Sequence, residues 1–212
     1  MDLQGNQVIL RRVPASYDER LGDYKVSLEN LMAAEGREIA ESHGVSPRAM
    51  QILLLVYAKP HFDTQITLMK VRGQQLKSGF LDQKFRLNKM LFQVWQELKK
   101  VDLQDYFVFD EFVAQRAGPV PAKSKEDLKE LEVKGLLNVK WAYRAGESFH
   151  FEVTEKGQRV AQSIWQMLPI DAKSIFEKTK SDLYLIDAAE LKHRFHESYP
   201  EYKKNYVELD SE

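Results

Sequence analysis

From Asp110 to Gly157 the chain reads DEFVAQRAGPVPAKSKEDLKELEVKGLLNVKWAYRAGESFHFEVTEKG, and within this stretch the hydrophobic period changes from helical to extended and back. A first helical segment stops at the Gly118-Pro119 breaker and Pro121, since a proline ring removes a backbone donor that a helix interior needs. Ser124, three residues before Asp127, is placed to cap the free N–H groups of a second helix whose first turn is acidic. Leu128 and Leu131, with Val133 and Leu136 nearby, give that helix its apolar side. Gly135 suits its end, because glycine enters the left-handed conformation without a steric penalty. Next, Val139, Trp141 and Tyr143 alternate with Lys140, Ala142 and Arg144, and Phe149, Phe151 and Val153 alternate with His150 and Glu152. That period of two belongs to strands with unlike faces. Ala145-Gly146-Glu147-Ser148 joins them as a tight hairpin, and Thr154 opens another helix. Helix, turn, helix and two-stranded wing is the layout of a winged helix-turn-helix. The fold class expected is therefore mainly α with a small β-hairpin, a winged helix-turn-helix core plus N- and C-terminal helical extensions.

The flanks read as three units: an N-terminal helical extension over 1–45, the winged-helix domain over 46–168, and a C-terminal helical cap and tail over 169–212. Residues 1–15 alternate weakly and suggest a strand or arm, and Tyr17 to Ser42 repeats apolar residues at three- and four-residue steps, with Gly36 a candidate interruption. Ser46-Pro47 is a strong helix start, and the helix it opens is nearly apolar from Met50 to Tyr57. Residues 36–50 admit two readings: a second helix-turn-helix with Gly44 at the turn, or a plain helix end at Gly44 followed by a new start at Ser46. Phe62 to Leu81 is harder to place. A long amphipathic helix is expected from about Asp82, as its cap, to Lys100, and its wide apolar face suggests a homodimer seam. Tyr106 to Phe112 is a strand or the start of the next helix. Beyond Thr154, helices are expected to Met167 and through Ser174 to Tyr199.

With these pieces in place, the order of segments over roughly Ala49 to Pro200 resembles the Panacea family of phage-associated and antitoxin proteins and the related YwgA-like winged-helix proteins. The resemblance rests on MQILLLVYA, on Arg86-Leu87-Asn88-Lys89-Met90-Leu91-Phe92, and on the aromatic segment from Phe112 to the Gly118-Pro119 turn. It rests further on Lys134 to Leu137, on Thr154 to Gly157, and on Tyr199 to Tyr202. Ala117 departs from the family, whose members more often carry an aromatic residue before Gly-Pro. The resemblance implies an antitoxin-like protein that neutralises a toxin by contact.

The chain has 31 basic and 32 acidic residues, so no bulk field draws it to nucleic acid or to an anionic surface, and any such contact needs a local patch. The absence of cysteine excludes disulfides, thiolate nucleophiles and Cys-ligated zinc. No apolar run approaches a bilayer span, and a cytoplasmic protein is expected. If the winged helix binds double-stranded DNA, phosphate contacts need basic side chains on its second helix and wing. Lys125 and Lys129 lie four apart, and Lys140, Arg144 and Arg116 extend the patch, although Glu126, Asp127, Glu130 and Glu132 make the helix neutral. Glu190, His193, His196 and Glu197 share a helix and resemble metal ligands, but no distant residue supplies a third, and no metal or other cofactor is expected. Neither a phosphate-cradling glycine loop nor a nucleophile motif is present. The expected function is a non-enzymatic, DNA-binding regulator associated with transcription; the alternative is an antitoxin-like or adaptor module that recognises a protein partner through segments such as Tyr199, Tyr202 and Tyr206.

Overall fold

A computed structural model describes residues 31–32, 34–59, 80–82, 84–109, 111–115, 118–142 and 148–202. The readings made for residues 1–30, for 60–79, for the hairpin turn at 143–147 and for the tail beyond Tyr202 lie outside them. Among the described residues the chain is mainly helical, with short antiparallel strands.

The first helix, α1 (34–42), runs straight through Gly36, where a side chain would put a Cβ 1.8 Å from the Tyr106 carbonyl oxygen. Glycine there lets the helix pass against that carbonyl, so it marks an approach and not an interruption. α1 ends in a full C-terminal cap: Gly44 at φ 67° donates to Glu41, and Val45 donates to Ala40. Ser46 then accepts from the Ala49 amide at 3.2 Å and opens α2 (Pro47–Tyr57). Every residue from Ala49 to Val56 is buried. A helix enclosed in this way cannot lie in a solvated groove, which decides residues 36–50 in favour of a helix end and a new start.

β1 (Phe80–Asp82) leads to α3 (Lys84–Lys100), so Asp82 ends a strand instead of capping the helix. The apolar face of α3 is covered within the chain, with Leu87, Met90, Phe92, Val94 and Leu98 all fully buried. The wide face that suggested a dimer seam thus has an intrachain explanation. A 3-10 turn (Gln104–Tyr106) follows, and then β2 (Phe112–Gln115) pairs with β3 (Gly118–Pro121) as a separate hairpin. For Phe112 to Gln115 this corrects the helical reading. β3 carries two prolines, which lack the donor for a second neighbour, and among the described residues it pairs only with β2.

α4 (Ser124–Val133) begins one residue early for the expected cap: Ser124 is already helical and buried, and Lys123 precedes the helix without a side-chain cap. β4 (Leu137–Ala142) and β5 (Ser148–Val153) are antiparallel, Leu137 opposite Val153, and β1 adds to β5 with Leu81 opposite Phe151. The sheet order is β1-β5-β4. α5 (Glu155–Met167), α6 (Ile170–Tyr184) and α7 (Ala188–Ser198) complete the chain, ending at a 3-10 turn over Pro200–Tyr202. One apolar core joins α2, α3 and the sheet to α5, α6 and α7, with Phe92, Phe151 and Phe176 enclosed at its centre.

Candidate nucleic-acid interface

α4 is held by the start of α2 and, at its far end, by the start of α5, and the way it is held decides which charges face outward. Its inner face is Ser124, Asp127, Leu128 and Leu131. Arg48, in the first turn of α2, donates from Nε and Nη2 to Asp127 at 3.1 and 2.9 Å. One turn later, Glu130 accepts from the Ser46 amide at 2.8 Å and from Lys134 at 2.7 Å. Burial draws the Glu130 carboxyl upward, but the hydrogen bonds from Lys134 and Ser46 outweigh it and hold the group below its ordinary value. Two of the four acidic side chains that make α4 neutral on paper are therefore committed to partners of their own. The exposed residues are Lys125, Glu126, Lys129, Glu132 and Val133.

The far end of α4 is locked to α5. Gly135, at φ 65°, donates to Glu132, and Leu136 donates to Leu131. Thr154 then donates from its hydroxyl to the Gly135 carbonyl at 2.7 Å and accepts from the Gly157 amide at 2.9 Å. Lys156 adds a bond to the Lys134 carbonyl at 2.8 Å. A Cβ on Gly157 would lie 2.0 Å from the Leu136 oxygen. The Lys134 to Leu137 and Thr154 to Gly157 motifs are thus two halves of one joint.

The candidate contacts are unequally placed. Lys125 and Lys129 sit one turn apart on the outer face of α4. Lys140 stands on β4 and pairs across the strands with Glu152 at 3.0 Å, both side chains exposed. Arg116 and Arg144 lie outside the described residues. A lysine not singled out from sequence joins the pair on α4: Lys84, in the first turn of α3, is pushed below the ordinary lysine range by burial and by the charge of Lys125, with Glu126 opposing. Its only sequence signal was a cation at a helix start, where carboxylates are the usual choice.

The remaining motif residues turn inward. Arg86 is buried and donates to the Leu183 and Ile186 carbonyls, both at 2.7 Å, at the end of α6. Lys89 is fully buried between the rings of Phe85 and Phe195 and donates to the Pro119 carbonyl at 3.1 Å. Gly118 makes room for it, since a Cβ there would lie 2.7 Å from Nζ. Burial lowers Lys89 to about 7. Tyr199 and Tyr202, read from sequence either as docking residues or as a tail packed back on the domain, meet Phe92 edge-on at 4.7 and 5.1 Å, which is the second arrangement. His193 pairs with Glu197 at 3.2 Å and Arg194 with Glu190 on the exposed side of α7. Among the described residues no group of three His, Asp or Glu side chains is arranged to hold a metal, and no helix is long and apolar enough to cross a membrane.

The geometry defines a mainly helical protein that presents one helix beside a small antiparallel sheet. No family model, curated protein or solved structure matches the chain.

Proposed function

We propose that the chain is a winged-helix, non-enzymatic regulator that binds double-stranded DNA through the outer face of α4. The order α2, β1, α3, α4, β4, β5, with the sheet running β1-β5-β4, supports that fold, with the β2–β3 hairpin as an insertion before the recognition helix. The observation that carries the DNA reading is the inward commitment of Asp127 and Glu130, which leaves Lys125 and Lys129 exposed on α4 beside Glu126 and Glu132, with Lys84 near Lys125. The second reading is the antitoxin-like or adaptor module implied by the Panacea resemblance. Its support is Val133, 77% exposed at the end of the same helix, since an apolar side chain gives nothing to a phosphate backbone and suits a protein surface.

Fluorescence anisotropy of a labelled duplex tests the first reading. Three phosphate contacts weaken binding roughly 40-fold between about 50 and 200 mM salt. The Lys125→Glu, Lys129→Glu double variant is expected to lose binding while keeping its fold. Absence of binding at low salt overturns the DNA reading, and co-purification of a partner that the Val133→Asp variant releases would favour the second.

A further inference from the structure

A cleft of about 540 Å³ opens between α3, α6 and α7, away from α4. Its size is that of ordinary small-ligand sites. Each helix gives it one face: α3 supplies Glu97, α6 supplies Lys178 and Asp182, and α7 supplies Arg194. The apolar lining is Phe195 and Leu183, which are 4% and 9% exposed, with the partly buried Ile175 and Tyr199. So little open apolar surface is too small to seat the hydrophobic face of a partner helix. The walls carry two carboxylates and two cations, Arg194 being shared with Glu190 outside the cleft, so the lining is not set for an anion or a cation alone. One wall is also fixed in place, because Tyr199 donates to Gln93, Gln93 donates to Glu97 at 2.7 Å, and Lys100 donates to the same carboxylate oxygen at 2.7 Å. The Lys100 hydrogen bond, with a smaller contribution from the charge of Lys178, keeps Glu97 ionised below the ordinary carboxylate value.

We propose that this cleft binds a small zwitterion, a peptide of two or three residues with free ends, its amino group toward Glu97 or Asp182 and its carboxylate toward Lys178. A side chain of the ligand lies on Phe195 and Leu183. Glu97 is held in place before a ligand arrives, which lowers the cost of ordering the ligand's amino end. The site is independent of the proposed DNA face and needs no nucleic acid to be tested.

The full chain is screened by thermal unfolding against mixed dipeptides and tripeptides, each with free ends, N-acetylated, or C-amidated. Free-ended peptides are expected to raise Tm in proportion to the logarithm of their concentration, and blocking either end is expected to remove the effect. Lys178 and Asp182 are exposed, so Lys178→Glu and Asp182→Lys are expected to fold normally, as circular dichroism will check, and to weaken binding by about 10-fold or more. No stabilisation by any free-ended peptide overturns the proposal. So does stabilisation that survives blocking of both ends or the Lys178→Glu change.

Discussion

Lys180 is an amine that the fold has taken wholly out of water, and it is used as a clasp. Its ammonium donates to the carbonyls of Val56 and Ala58, at 2.6 and 2.8 Å, closing the end of α2 where backbone acceptors have no helical partner. Burial nonetheless lowers the group to about 7. Nothing in the spacing of DAKSIFEKTKSDLY separates Lys180 from Lys173 or Lys178, which sit toward the outside of the same helix, so a buried lysine was illegible there. The same holds for Lys89. The glycines were more legible, yet sequence gave them one role where the structure gives two. Gly135 is required by its left-handed conformation and has open space around it, so Gly135→Ala is expected to lose about 1 to 2 kcal/mol. Gly157 has ordinary helical geometry but no room, and Gly157→Ala is expected to lose about 3 kcal/mol or more because the obstacle is backbone. Urea unfolding of the two variants side by side checks the order, and equal losses would refute the steric role of Gly157.

Among elements, those with long periodic patterns were legible. α3 and α5 fall within two residues of their expected ends, and the alternation in β4 and β5 gave their pairing. The β2–β3 hairpin was not legible. Its strands have four residues each, too few to show a period, and one contains two prolines, which count against a strand unless it lies at an edge. α4 was legible as a helix but not as a charged surface, because its electrostatics depend on Arg48 and Ser46, which are remote in sequence. The joint between α4 and α5 gives an element-level expectation. Thr154→Val keeps the side-chain volume but loses both the Gly157 cap and the bond to Gly135, and a loss of about 1 kcal/mol is expected in the same urea measurement. The Lys125→Glu, Lys129→Glu double variant, on the exposed face, is expected to stay within about 0.5 kcal/mol per site of the parent.

At the scale of the whole molecule, the two buried lysines set how stability responds to pH. Both have folded values near 7, below the unfolded value of about 10.4. Between those limits the unfolded chain binds protons that the folded chain does not, so stability rises with pH, by up to about 1.4 kcal/mol per unit for each lysine. Below pH 7 both states are protonated and the dependence fades. Denaturant midpoints are thus expected to climb from pH 7 to 9, and Lys180→Met is expected to remove about half of the climb; a flat profile for the parent would contradict the burial of both amines. The Lys180 clasp also bears on how the chain is made. It closes a helix 124 residues behind it, and Tyr199 and Tyr202 reach back to Phe92, so the last helices complete a core begun near residue 49. During synthesis α2 would leave the ribosome apolar on nearly all sides and wait for its closing partner until α6 has followed. Over that interval its apolar surface lacks the cover that α6 provides, and a chain cut short before α6 is expected to leave the end of α2 unclosed.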